Sequence, residues 1–253
     1  MNHRELKEQQ AVQLKMLVDF DTFCNEHGLK YFMVYGTLLG AIRHKGFIPW
    51  DYDIDMAMTR SEYEKFMKVQ HLLPSHLTVW EVCYSDIRHS GLVRLLTDHN
   101  AFGRVQVDIF IFDYARECWS QNRIMGGIFK LLHFARLSKL EKSILMKRFS
   151  GQPLKQGVIQ LAKVVRVCLG GSANAERLLH YLRVSKKPTN QYISIECKVP
   201  LPTSCFVEPQ RLEFGGHLLY APMHAEELLT KMYGNYMEIP PEGHKWLKEE
   251  GLE

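Results

Sequence analysis

Three aspartates stand at alternate positions in the stretch WDYDIDMAM: Asp51, Asp53 and Asp55, separated by Tyr52 and Ile54. A strand over residues 52–58 would put Asp53 and Asp55 on one face and Tyr52, Ile54 and Met56 on the other, because side chains alternate with a period of two. Carboxylates side by side share hard cations such as Mg2+ that also hold substrate phosphates. Such cations bridge phosphate oxygens and stabilise the attacking and leaving oxygens of phosphoryl transfer. A third ligand has to come from another strand. Asp108, in VQVDIFIF, is an acid among apolar strand residues, where an unpaired carboxylate is costly to bury.

Two other readings compete for the same acids. Asp51, Asp53, Asp55 and Glu62 occupy positions 1, 3, 5 and 12 of a calcium loop, but Met56 stands where that loop turns on a glycine, and Gly46 and Pro49 disfavour an entering helix. Solvated charges on an edge strand would leave the apolar setting of Asp53, Asp55 and Asp108 unexplained. Upstream, Gly36 and Thr37 break the strand candidate YFMVY and open a helix with Thr37 near its N-cap, an arrangement suited to an anion. Arg43, His44 and Lys45 offer positive charge to a diphosphate, with an exposed basic turn as the plainer alternative; Arg94, inside GLVRLL, is a second phosphate candidate. Phe47, Trp50 and Tyr52 cluster beside the acids. Their ring faces suit a quaternary ammonium, and core packing would explain them as well.

The stretch GTLLGAIRHKGFIPWDYDID resembles the LicD family, phosphocholine transferases related to fukutin within the nucleotidyltransferase superfamily. VDIFIFD resembles the family's second acidic strand, and FVEPQRLEFGGHLLYAPMHAEELLTKMYGNYMEIPP its C-terminal region, so the likeness spans residues 29–113 and 205–241. It implies that Gly36 and Thr37 fill the superfamily's glycine and small-hydroxyl position, that Asp53 and Asp55 form its acid pair, and that Asp108 is its third acid. Tyr52 departs from the pattern, since many members carry another aspartate there, and the 15 residues between Thr37 and Asp53 exceed the spacing of simpler relatives.

The activity so implied is transfer of phosphocholine from CDP-choline to a hydroxyl of a cell-surface glycan or teichoic acid precursor, releasing CMP. Asp53, Asp55 and Asp108 would hold Mg2+ or Mn2+, Asp108 would also accept the hydroxyl proton, and Asp51 would either support the metal-holding acids from behind or orient the acceptor. A polyol phosphate donor, CDP-ribitol or CDP-glycerol, is the alternative within the same chemistry. A metal-stabilised binding module without turnover is the alternative outside it. The acceptor is expected on a lipid carrier, and no nucleic acid is expected as partner.

The elements that must position these residues follow from pattern. Residues 5–26 carry an apolar stripe ending at Gly28, an opening helix; strands are expected at 77–84, 91–97 and 104–112. The fold class is α/β (α+β): a nucleotidyltransferase-like mixed sheet with flanking helices and an additional basic helical segment. The expected parts are a catalytic core over 1–115, a basic helical segment over 116–187 and a C-terminal region, 188–253, completing the catalytic domain. Residues 116–187 hold 15 Lys and Arg against 3 Glu, a net of +12, leaving 17 against 25 elsewhere, so the overall +4 conceals a lopsided chain. An apolar, basic segment of this kind suits peripheral contact with an anionic membrane. The charged start MNHRELKEQQ is no signal peptide, no 18-residue apolar run occurs, and the six cysteines are scattered singly, so a reduced, cytoplasmic protein is expected, at most peripheral at the inner membrane face.

Overall fold

The computed structural model describes residues 3–81, 92–99, 103–116, 123–137, 139–194, 199–249 and 251. The described chain forms two compact units, one drawn from Met1–Trp80, Leu92–Phe112 and Leu201–Glu253, the other from Glu81–Gly91 and Asp113–Pro200. Residues 82–84 and 91, the expected outer ends of two strands, lie outside the described residues, as do Cys83, Cys118 and Cys197.

In the first unit, α1 (His3–Glu26) buries Leu6, Met16, Leu17, Phe20 and Phe23 at helical spacing. It stops at Gly28, whose φ of +62° lies in the left-handed region, and the Leu29 N–H closes the last turn on the Cys24 carbonyl at 2.8 Å. There follow β1 (Phe32–Met33), α2 (Tyr35–His44), β2 (Asp55–Thr59), α3 (Arg60–Val69), β3 (Thr78–Glu81), β4 (Leu92–His99) and β5 (Gly103–Tyr114). The strand order is β1-β2-β5-β4-β3. β2 and β5 run parallel, β1 is antiparallel to β2, and β4 is antiparallel to β5, which makes the mixed sheet with flanking helices expected from sequence. Along β5 the residues alternate: Val105, Val107, Ile109 and Ile111 join a core with Phe20, Phe23 and Phe66, while Asp108 and Phe110 face the other way, half-buried. Phe20 and Phe66 meet edge to face, 5.5 Å between ring centres.

The second unit is helical: α4 (Arg123–Arg136), α5 (Lys139–Arg148), α6 (Pro153–Cys168) and α7 (Ser172–Arg183), with β6 (Gln191–Ile193) pairing the end of β5 through Asp113 and Tyr114. The continuous apolar periodicity over 128–145 is two helices. The Ala135 carbonyl near the end of α4 accepts from the buried Lys142 ammonium at 3.1 Å, so a side chain supplies the donor that a further turn would have supplied.

The chain returns to the first unit with β7 (Leu201–Pro202), the hairpin β8 (Pro209–Phe214) and β9 (His217–Pro222), then α8 (Ala225–Tyr233) and α9 (Pro241–Glu249). Gly215 and Gly216 form the two-residue hairpin turn with φ of +60° and +82°, the paired left-handed geometry whose twist matches the strands. The Gly215 N–H donates to the Lys45 carbonyl at 2.7 Å, fastening the hairpin to the end of α2. That end is tight: a Cβ on Gly40 would lie 2.3 Å from the Gly46 carbonyl oxygen. Gly40→Ala should therefore force α2 away from its closing turn, cost about 1–3 kcal/mol and lower the melting temperature by several degrees. An unchanged thermal unfolding curve would mean that the turn yields freely.

Candidate active site

Register assembles the site. Parallel pairing of β2 with β5 sets Asp55 beside Asp108, and antiparallel pairing of β4 with β5 sets Arg94 beside Asp108, so a rung of carboxylate, carboxylate and guanidinium crosses three strands. Arg94 Nε donates to Asp108 Oδ1 at 2.8 Å, with both side chains mostly shielded from water, and the guanidinium lies 5.9 Å from the Trp80 ring centre. The Asp55 N–H donates to Thr37 Oγ1 at 2.8 Å, its carbonyl accepts from the Val34 N–H at 3.1 Å, and its carboxylate accepts from the Gly36 N–H. Helix α2 begins at Tyr35, with φ of +48°, and Val34 gives it no side-chain cap. Thr37, expected near the N-cap, instead lies inside the helix and holds the start of β2.

The expected strand over 52–58 begins only at Asp55. Residues 51–54 are irregular, and the carbonyls of Asp51 and Tyr52 are bonded to side chains of α1 rather than to a strand. Gln10 Nε2 donates to the Asp51 carbonyl at 2.6 Å, Gln9 Nε2 to that of Tyr52 at 2.8 Å, and Gln13 Nε2 to those of Tyr52 and Gln106, both at 3.0 Å. Gln10 and Gln13 are almost wholly buried. Sequence reasoning did not single out these glutamines. The signal was there, since Gln10 and Gln13 fall on the apolar face of an amphipathic helix, where an uncharged polar residue needs a partner.

The acids press on one another. Burial first, and then the charges of Asp53, Asp108 and Asp51, push the Asp55 carboxyl well above its ordinary range. Burial, followed by a hydrogen bond and repulsion from Asp53, raises Asp51 to about 7 against the opposing pull of the Tyr52 and Asp53 N–H groups. Asp51 also explains Gly36, where a Cβ would stand 2.8 Å from Asp51 Oδ2. Buried carboxylates within reach of each other's fields are the donor chemistry of a hard divalent cation. They do not form a closed cage: among the described residues no three His, Cys, Asp or Glu side chains are drawn together as a ready ligand set, and Asp108 is turned to Arg94.

The remaining sequence candidates lie as follows. Arg43 donates through Nη1 to the carbonyls of Tyr236 and Glu238 at 2.9 and 3.1 Å and through Nε to His44 Nε2 at 3.0 Å, so it ties down the segment after α8. Burial, then Arg43, lowers the His44 pKa, and the ring stands edge-on to Trp50 at 6.4 Å. Lys45, with φ of +57°, closes α2 by donating its N–H to the Gly40 carbonyl. Phe47 packs on Phe214 at 5.0 Å, and Trp50 lies against α9, where a Cβ on Gly243 would come 2.4 Å from the indole, 6.2 Å from Trp246. Tyr52, 60% exposed, keeps its ring toward solvent.

Raised carboxyls bind more protons folded than unfolded, so their destabilising effect is complete above the folded pKa, about 7 for Asp51, and fades as pH falls toward the ordinary carboxylate range. Asp51→Asn and Asp55→Asn should therefore raise the melting temperature of the metal-free protein at pH 8 by more than at pH 5. A pH-independent difference would count against mutual repulsion as the cause. Gln13→Leu should cost about 1–3 kcal/mol by stranding buried carbonyls, read as a lower denaturation midpoint.

The family described as LicD/FKTN/FKRP, nucleotidyltransferase domain, matches residues 28–135. Over 261 residues, 96% of this chain and 95% of the relative, the sequence is 31% identical to the lipopolysaccharide cholinephosphotransferase LicD of Haemophilus influenzae. Uncharacterised proteins of Rickettsia typhi and Rickettsia prowazekii are 34% and 35% identical over 65 and 60 residues, about a quarter of this chain and 21% of each of theirs. The matched segment contains Gly36, Thr37 and every residue of the rung, and the likeness to the Haemophilus protein runs nearly end to end: the chain belongs to the LicD family of transferases.

Proposed function

We propose that the protein transfers phosphocholine from CDP-choline to a sugar hydroxyl of a lipopolysaccharide-type glycan precursor and releases CMP. The observation that carries this reading is the nearly end-to-end likeness to a cholinephosphotransferase, with the acids and Arg94 inside the family segment. Asp53, Asp55 and Asp108 would hold Mg2+ or Mn2+, which supplies charge neutralisation to the donor diphosphate. The chain's own residues do the rest. Gly36 and Thr37 fix Asp55, and the α1 glutamines fix the backbone of Asp51 and Tyr52. Arg94 holds the Asp108 carboxylate toward the proton of the incoming hydroxyl and brings positive charge near the transferred phosphoryl group. Tyr52 offers an open ring face to the trimethylammonium, whose methyl groups leave it no hydrogen-bonding alternative. A nucleotide-activated donor calls for a cytoplasmic site of action.

The test is metal-dependent CMP release from CDP-choline, CDP-ribitol and CDP-glycerol in the presence of defined glycan acceptors. CDP-choline should be turned over with choline recovered on the glycan; turnover of a polyol donor alone would replace choline by that polyol, and no turnover of any donor would reject the reading. Asp53→Asn and Asp55→Asn should abolish release while the fold persists. Tyr52→Leu should raise the KM for CDP-choline about 2- to 30-fold with little change in inhibition by CMP. An equal loss for CMP would assign Tyr52 to packing.

A further inference from the structure

In the second unit, helix α6 is apolar on two opposite sides. Ile159 and Ala162 are fully buried, and α6 joins α4 and α7 through an alanine-rich contact of Ala135, Ala162 and Ala175. On its outer side Leu154, Leu161, Val164 and Val167 recur at helical spacing, and they are 86%, 53%, 58% and 78% exposed. A helix that carries exposed aliphatic residues alongside cations has the make-up of one that lies in a lipid interface. Beside this stripe a cleft of about 620 Å3 between α5 and α6 is lined by Lys142, Ser143, Met146, Lys163, Arg166 and Val167, cations next to apolar wall.

We infer that the outer face of α6, with the neighbouring basic cleft, docks on the surface of an anionic lipid bilayer, the stripe entering the headgroup boundary while Lys163 and Arg166 meet lipid phosphates. Charge selects this occupant over the others. A second copy would set one +12 segment against another, and a polyanion such as RNA would satisfy the cations yet leave the aliphatic stripe in water. An anionic bilayer satisfies both. No helix among the described residues is long and apolar enough to cross a membrane, so the contact is peripheral. This docking stands independently of the proposed reaction, because binding is read without turnover.

The experiment is sedimentation of the full chain with vesicles of phosphatidylcholine alone or mixed with phosphatidylglycerol, across a salt series. The protein should pellet only with the anionic vesicles and be released as salt rises, since the screening length shrinks from about 8 Å at physiological strength to about 3 Å at 1 M. Lys163→Gln with Arg166→Gln should lower the partition coefficient by up to roughly thirtyfold. Leu154→Ser, at the most exposed position and least harmful to folding, should weaken binding without altering the far-ultraviolet circular dichroism or the salt dependence. Equal recovery with neutral and anionic vesicles, none with either, or wild-type binding by both the Gln and Ser variants overturns the proposal. So does a wild type that ignores vesicles and instead elutes as a dimer that Leu154→Ser dissociates.

Discussion

The site rests on one register. If β2 slipped by a single residue against β5, Asp55 would face the core side of the sheet and Asp108 would lose its neighbour, because side chains alternate with period two. The slip is opposed by the apolar residues of β2 that it would turn out of the core, Met56 and Met58, which share one core with Val107, Ile109 and Ile111 of β5. It is opposed again at the strand's entrance, where the Asp108 N–H donates to the Ile54 carbonyl at 2.9 Å and the Asp55 N–H is held by Thr37. Packing that stabilises the sheet thus also fixes the carboxylates.

Positioning and charge are assigned to different residues. Gly36 contributes an N–H and the absence of a side chain, Thr37 a buried hydroxyl, and Gln10 and Gln13 amide donors, and none of these carries charge. The acids are therefore held by neutral groups, whose N–H bonds to Asp51 and Asp55 offset burial and mutual repulsion only in part. Arg94 alone, among the described contacts of the rung, brings an opposite charge, and it acts on Asp108 rather than on Asp55. The field around Asp55 stays negative, which is how a cluster of carboxylates keeps its demand for a cation or a proton.

Sequence made the ingredients legible and concealed their partners. The acids at 51, 53, 55 and 108, Gly36, Thr37 and Arg94 could be picked out as candidates by type and spacing, and the mixed sheet by strand candidates interleaved with helix candidates. The start of β2 could not, because period-two hydropathy over 52–58 does not report whether a carbonyl is bonded to a strand or to a glutamine of α1, more than forty residues earlier. Nor could the occupation of Arg43: its composition and place after a glycine-rich helix start suit a phosphate, and only the folded chain brings the Tyr236 and Glu238 carbonyls to its guanidinium. The hairpin at Gly215 and Gly216 went unread, although adjacent glycines between strand-like runs mark a two-residue turn.

The aromatic residues show why proximity in sequence is weak evidence for a shared role. Phe47, Trp50 and Tyr52 lie within six residues, yet their surroundings divide them. Phe47 and Trp50 are committed to Phe214 and to the close glycine contact with α9, so their rings trade ligand access for packing. Tyr52 owes its exposure to the α1 glutamines, which hold its carbonyl inward and leave the side chain to solvent. The same amide donors that delay the strand's start therefore hold the backbone that carries both the carboxylate of Asp51 beside Gly36 and the open ring of Tyr52, so that one buried polar face of α1 governs an acidic group and an aromatic group at once.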